Sequence, residues 1–175
     1  MLDLSNHALS MTYSILWVAV FARQICLPVP ANLLLLTAGA LVRGGGLNMR
    51  LVRFVGILGC LAGDLVWFEA GRQWGSQIMR ILCAFSDDPH YCAQRAHKVF
   101  ARWGLRSLIL AKFIPGLDGV TPPLAGIEGS ERIAFLAYDS LGSFLWTALY
   151  AGLGYLFANP LTLRSEEHTS ELQSL

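Results

Sequence analysis

Long charge-free runs divide the chain. Ala8 to Ala22, Ile25 to Val42, Phe54 to Phe68 and Ile133 to Pro160 are dominated by apolar residues; the third is interrupted only by Asp64 and the fourth only by Asp139. A straight helix needs roughly 20 apolar residues to cross about 30 Å of hydrocarbon. The pattern therefore predicts membrane helices, two of them short enough to borrow polar flanks or to stop inside the bilayer. Between Arg80 and Arg106 the period changes: Ala96, Val99, Phe100 and Trp103 recur at helical spacing opposite Arg95, Lys98 and Arg102. That is the pattern of an amphipathic helix lying on a membrane surface. The expected fold class is all-α, a polytopic helical membrane protein occupying residues 8–160.

Two of the apolar stretches carry breaks at matching places. Ile25 to Val42 has Pro28 and Pro30 near its start, and Lys112 to Ile127 has Pro115 early and then Pro122 and Pro123. Proline removes a backbone donor and clashes with the preceding turn, so neither stretch runs on as one helix. Leu36 to Leu41 reads Leu-Thr-Ala-Gly-Ala-Leu and Leu124 to Gly126 reads Leu-Ala-Gly; each stretch is followed by a short polar segment and then by an apolar helix holding one aspartate. Paired Pro/Gly-interrupted hydrophobic segments point to a transporter's binding site, because non-helical backbone at membrane depth must be satisfied by protein or by a water-filled cavity. The expectation is two inverted re-entrant hairpins whose backbone is shaped by Pro28, Pro30, Gly116, Pro122 and Pro123. A pair of kinked spanning helices with no site is the alternative.

Composition agrees with a bilayer resident and narrows the chemistry. Of 175 residues 54% are hydrophobic and 14% charged, with a mean hydropathy of +0.50, too oily for an ordinary soluble domain. A net charge of +1 with scattered arginines excludes a nucleic-acid partner. An ionised carboxylate at bilayer depth costs ~2.5 to 3.5 kcal/mol on insertion scales, so Asp64 must face a partner or water. It either titrates and couples proton movement to a substrate or pairs quietly with Lys112 or Arg72. Lys112 and Asp118 flank Pro115-Gly116, a break that aims both into one cavity. Asp64, Lys112, Pro115 and Asp118 are thus the candidate substrate-binding or proton-coupling residues. The alternative for Lys112 and Asp118 is that they neutralise each other and fix the hairpin.

Other polar residues read as structural. Glu69 and Arg72, three apart, are expected to pair locally. Asp139 sits near the start of the last helix, where a carboxylate can reach an interface or the helix N-terminal region. The tryptophans fall mainly at the ends of apolar runs, as interfacial anchors do. Cys83, His90, Cys92 and His97 match no standard zinc spacing, and two free thiols are expected, since a disulfide needs an oxidising face. Excess Lys/Arg between residues 80 and 106 argues that this connection is cytoplasmic, although Arg43, Arg50 and Arg53 give another loop the same bias. No nucleophile–base motif, phosphate-cradling loop or HExxH is present. The expectation is a non-enzyme without metal or cofactor, partnered by membrane lipids and protons. Leu2 to His7 has no positive charge, which favours an uncleaved first helix over a signal peptide.

LPVPANLLLLTAGAL at 27–41, GDLVWFEAGRQWG at 63–75, KFIPGLDGVTPPLAG at 112–126 and LGSFLWTALYAGLGYLF at 141–157 together resemble the DedA family, also described by the SNARE-associated or VTT domain. The resemblance covers nearly all of residues 10–158. It implies two opposed re-entrant hairpins in the bacterial inner membrane and proton-coupled transport or movement of anionic lipid headgroups between leaflets. In the family the second hairpin commonly opens with Arg-Phe-Ile-Pro-Gly-x-Arg; here Lys112 replaces the first arginine and Asp118 stands in place of the second. A lysine is a point charge and an aspartate repels an anion, so these two positions do not carry over forked phosphate recognition. The glutamate that often follows the first Pro-x-Pro is replaced by Ala31 and Asn32, which would reroute a proton relay to Asp64 or Asp118. The spelling of these motifs is nearest a subgroup often joined to a rhodanese-like domain.

Arg164 to Ser174, RSEEHTSELQS, matches a translated sequencing-library adapter. Residues 164–175 are expected to be foreign to the natural protein, which would then continue past Leu163. The sequence therefore predicts a transporter or lipid translocase, with a non-transporting scaffold or anchor for a lost C-terminal domain as the contrasting class. Self-association and substrate identity are left open.

Overall fold

The computed structural model describes residues 2–25, 27–84, 88–114 and 117–158. Among them there are eight α-helices: α1 (Leu2–Gln24), α2 (Ala31–Arg43), α3 (Met49–Trp74), α4 (Ser76–Cys83), α5 (Pro89–Trp103), α6 (Ser107–Ala111), α7 (Thr121–Ile127) and α8 (Arg132–Phe157). A single 3₁₀ turn, Gly104–Arg106, links α5 to α6. The all-α expectation holds over these residues.

Local chemistry sets the boundaries. Asn48 caps α3 by accepting from the Arg50 amide at 2.9 Å, and Asp88 caps α5 by accepting from the Tyr91 amide at 3.0 Å. Each satisfies an amide that the first helical turn leaves without a partner. Pro30 immediately precedes α2. Pro122 and Pro123 occupy the first turn of α7, where a missing N–H removes no intrahelical bond. The prolines thus separate helices and start new ones; they do not kink continuous rods.

Length distinguishes the helices. α3 has 26 residues and is apolar enough to cross a membrane, and α8 has the same length. At 1.5 Å per residue α2 extends only about 20 Å and α7 only about 10 Å, both short of a ~30 Å hydrocarbon layer. The second apolar run, Ile25 to Val42, is therefore split: residues 27–30 are non-helical and the helix begins at Ala31.

The short helices pack across the two halves. α2 of the first half lies along α8 of the second, and α7 of the second lies along α3 of the first. Both contacts are backbone to backbone. A Cβ added at Gly39 or Gly154 would come closer than 3.0 Å to the Ala151 or Leu36 carbonyl, and one at Gly126 or Gly71 to the Phe68 or Pro123 carbonyl. The Ala-Gly pairs noticed in the sequence are these docking points, where small residues let helices approach without side chains between them.

Apolar packing follows the same division. Leu16, Val20, Leu35, Val52 and Trp146 form one buried cluster, and Phe68, Leu108, Ala125 and Phe135 another, with the Phe68 and Phe135 rings stacked at 4.3 Å. A third cluster joins Met79, Cys83 and Ala96 of α4 and α5 to Leu117, Val120 and Leu124. In α5, Ala96, Val99 and Phe100 pack on this cluster while Arg95, Lys98 and Arg102 are exposed; the helix is amphipathic as expected, but most of its apolar face is taken up by the protein's own residues, and Trp103 of that face is exposed.

Three expectations are corrected. Glu69 pairs with Arg132, through contacts of 2.6 and 2.9 Å, and not with Arg72: the fork of a guanidinium arriving from another helix offers two parallel bonds that a neighbour on the same helix face does not. Trp146 is buried in the core cluster, beneath the Arg23 guanidinium and beside the Tyr150 ring, and is no interfacial anchor. Cys83 and Cys92 form a disulfide, their Cα atoms 5.7 Å apart, in place of two free thiols. Packing of α4 against α5 brings them together. The pairing suits an oxidising face, whereas the arginine count had assigned this connection to the cytoplasm.

Candidate functional site

Five ionisable side chains and one amide converge where α1, α3, α8 and the segment between α6 and α7 meet. Lys112, the residue after α6, is buried, and its ammonium contacts the Asp64 carboxylate of α3 directly. The same ammonium lies 3.3 Å from an Asp139 oxygen on α8 and 3.6 Å from an Asp118 oxygen. One cation is therefore shared among three carboxyl groups. Gly142, one turn beyond Asp139 on α8, allows this, since a Cβ there would lie 3.4 Å from Cγ of Lys112 and nearer still to the backbone of Leu108 and Ile109.

A second cation enters from α1. Arg23 donates to Asp118 at 2.9 Å and to the Gln24 side-chain oxygen at 3.1 Å, and its guanidinium lies 4.9 Å above the Trp146 ring. Stacking on an indole stabilises a guanidinium by roughly 0.5 to 2 kcal/mol depending on desolvation. Gln24 in turn donates its amide to both oxygens of Asp64, at 3.0 and 2.9 Å. Trp67 holds the end of α1 in place by donating its indole N–H to the Gln24 carbonyl at 2.9 Å.

Wetness varies across the cluster. Side chains of Lys112, Asp64 and Asp139 are at most 2% exposed, those of Asp118 and Arg23 are 15% and 24% exposed. The dry centre and the accessible rim are joined through Lys112. Three atoms at the centre lack hydrogen-bond partners altogether: both oxygens of Asp139 and Oγ of Ser143 are buried without one. The Lys112 ammonium is within ion-pair distance of Asp139 but is not directed at it as a hydrogen bond.

Of the residues singled out in the sequence, Asp64, Lys112 and Asp118 are brought together, and the Lys112–Asp118 contact is the loosest of the three made by that lysine. Pro115 and Gly116 lie outside the described residues. Pro28 and Pro30 are exposed in the connection between α1 and α2, and Pro122 and Pro123 are buried at the start of α7. These four shape the scaffold; the ionic cluster is built by other residues. Sequence reasoning missed Arg23 and Gln24, which close the first apolar run and look like an ordinary interfacial end. It also placed Asp139 near a helix start within reach of an interface, whereas Asp139 lies two turns into α8 and is buried beside Lys112. The signal was available: Asp139 is the one charge in its apolar run, as Asp64 is in its own. The lone lysine expected at the second hairpin is in fact accompanied by Arg23, a cation supplied from α1 next to the position where the resemblance led one to expect arginine.

Comparison with known proteins places the chain in a family. Inner membrane protein YqjA of Escherichia coli strain K12 is 28% identical over 163 residues, covering 91% of this chain and 74% of that protein. Protein DedA of the same strain is 28% identical over 155 residues, covering 83% and 68%. Inner membrane protein YghB of Salmonella typhimurium is 28% identical over 167 residues, covering 92% and 75%. No solved structure matches the chain. The VTT domain family model matches residues 28–156, a span that holds Asp64, Lys112, Asp118 and Asp139 and both reciprocal helix contacts. The chain therefore belongs to the VTT-domain, or DedA, family of inner-membrane proteins.

Proposed function

We propose that this protein is a proton-coupled transporter or lipid translocase for an anionic substrate, acting as a carrier without covalent chemistry. The observation that carries the reading is the charge count of the buried cluster: Asp64, Asp118 and Asp139 against Lys112 and Arg23. Fully ionised, the cluster has one negative charge too many for a low-dielectric site, and an unpaired buried charge is costly. One proton makes it neutral. A second proton leaves one carboxylate for two cations, which frees a cation for an anion arriving at the accessible rim where Arg23 and Asp118 sit. Proton uptake and anion binding are thereby linked through the same charges.

The short helices support a site of this kind. α2 and α7 are too short to span, their ends meet non-helical backbone, and each is held by the long helix of the other half. Two opposed re-entrant hairpins, dipping in around the cluster, account for helices of that length inside a membrane protein. The proposed partners are membrane lipids with anionic headgroups or a small anion, and protons.

Purified protein in proteoliposomes enclosing a pH-sensitive dye tests the reading. Substrate-dependent proton movement is expected in the unmodified protein and is expected to fail in Asp64→Asn and Lys112→Ala. Flux that is absent throughout, or equal in all three, would replace the carrier with a non-transporting membrane scaffold or anchor.

A further inference from the structure

The charge count says that the cluster holds a proton; the hydrogen bonds say where. Asp64 is engaged by Lys112 and by both contacts from the Gln24 amide, and Asp118 by the Arg23 guanidinium. Donors already directed at a carboxylate favour its ionised form. Asp139 differs from both. It is completely buried, neither oxygen accepts a hydrogen bond, and its sole ionic neighbour among the described residues is an ammonium that is in direct contact with Asp64 and within ion-pair distance of Asp118 as well. An ionised carboxylate needs donors, whereas a protonated one brings its own O–H and needs an acceptor. Such an acceptor stands one helical turn further along α8: Ser143, also buried, whose hydroxyl has no partner.

We propose that Asp139 is the carboxyl that carries the exchangeable proton of this site, with the Ser143 hydroxyl as its hydrogen-bond partner in the protonated state. The proposal rests on the proton-coupled reading above and assigns its proton to a residue. The groups that bear on Asp139 from the surrounding elements are few. Asp64 and the buried Cys60 thiol come from α3, Lys112 from the end of α6, Asp118 from the break before α7, and Arg23 from α1. α2 packs along the later turns of α8, and its charged residue Arg43 reaches Tyr155 there. Release of the proton gives a third carboxylate competing for Lys112, whose ammonium is 3.3 Å away. The lysine is then drawn from Asp118 toward Asp139, and Asp118 is left with Arg23. A proton arriving on Asp139 reverses this, so that occupancy at the dry centre controls the charge presented at the rim.

Infrared difference spectroscopy of the full chain in lipid, recorded across pH, reads the proton directly through the C=O stretch of a protonated carboxylic acid. The expected result is a pH-dependent band that disappears in Asp139→Asn, shifts in frequency in Asp139→Glu and survives in Asp118→Asn. Ser143→Ala is expected to shift the band to higher frequency by removing the acceptor. A band that persists in Asp139→Asn and vanishes in Asp64→Asn would overturn the assignment, as would the absence of any titrating band in the unmodified protein. Asn preserves the shape of protonated Asp, so folding is retained; should that variant nonetheless misfold, the frequency shift in Asp139→Glu decides the assignment alone. The two readings fail separately: a titrating Asp139 band in a protein without proton flux removes the transporter and leaves the proton site, whereas flux with the band on Asp64 does the reverse.

Discussion

Arg23, at the end of α1, donates to Asp118 at 2.9 Å across 95 positions of sequence. The contact ties the first helix to the break before α7 and supplies the second cation of the cluster. Its loss and the loss of its partner have unequal consequences. Arg23→Gln leaves three carboxyl groups to one ammonium, whereas Asp118→Asn leaves two carboxyl groups to two cations. Arg23→Gln is expected to lower the thermal midpoint in detergent, Asp118→Asn much less, and the double variant to recover most of the Arg23→Gln loss. The coupling energy for groups in one such network is about 0.5 to 3 kcal/mol. Strictly additive losses would show that the pair is not coupled.

Among the described residues Lys112 is the single group that contacts all three aspartates. Removing one side of a buried ion pair costs about 3–5 kcal/mol, because the opposite charge stays buried without compensation. Lys112→Met is therefore expected to reduce the yield of folded protein in size-exclusion profiles, more than Asp64→Asn does. Combining Lys112→Met with Asp64→Asn removes one charge of each sign and is expected to raise the yield above that of Lys112→Met alone. A double variant no better than the single would mean that Lys112 acts through packing.

The backbone contacts of α2 and α7 make a sharp contrast among glycines. Gly39, Gly126 and Gly154 each face a carbonyl that an added Cβ would strike, whereas nothing lies within 4 Å of a Cβ at Gly152 on the same helix as Gly154. Gly126→Ala and Gly154→Ala are expected to destabilise by at least ~1–3 kcal/mol, the usual cost of overpacking. Gly152→Ala is expected to stabilise slightly, since alanine exceeds glycine in helix preference by about 0.8–1 kcal/mol. Thermal midpoints of the three variants in one detergent check this. Equal midpoints would mean that the short helices are not docked through these glycines.

How much of this was legible in the sequence follows from which interactions are local. Apolar runs and proline positions report on each segment by itself, and they gave the long helices, both breaks and the amphipathic face of α5. The Ala-Gly repeats pointed to two halves, but the sequence could not say that each short helix docks on the opposite half, because a Gly-backbone contact leaves no side chain to match. For the cluster, Asp64, Lys112 and Asp118 stood out as charges inside apolar or broken stretches. Arg23 and Gln24 did not, since the end of an apolar run is where polar residues are ordinarily found. Asp139 was legible as a charge and misread as a helix-end residue, because its partner Lys112 is brought to it only by the packing of α6 on α8. Glu69 was misassigned for a related reason: spacing of three residues suggested Arg72, and the bond goes to Arg132, 63 positions away.

The Cys83–Cys92 disulfide closes a nine-residue separation between α4 and α5 and joins the apolar cluster that supports Leu117 and Val120 beside the site. By the chain-entropy relation a loop of this size stabilises by roughly 2.5 kcal/mol. The bond also bears on orientation, because a disulfide persists where the compartment is oxidising and a cytoplasmic pair stays reduced. Denaturing alkylation of membranes without reductant, read by mass, is expected to leave Cys83 and Cys92 unmodified while Cys60 is labelled, and prior reduction is expected to expose both. Cys83→Ser with Cys92→Ser is expected to lower the thermal midpoint and to leave the Asp64–Lys112 cluster assembled, because no side chain of that cluster depends on either sulfur. Full alkylation of both cysteines without reductant would remove the disulfide and return the α4–α5 connection to the cytoplasmic side that its Lys/Arg excess favours.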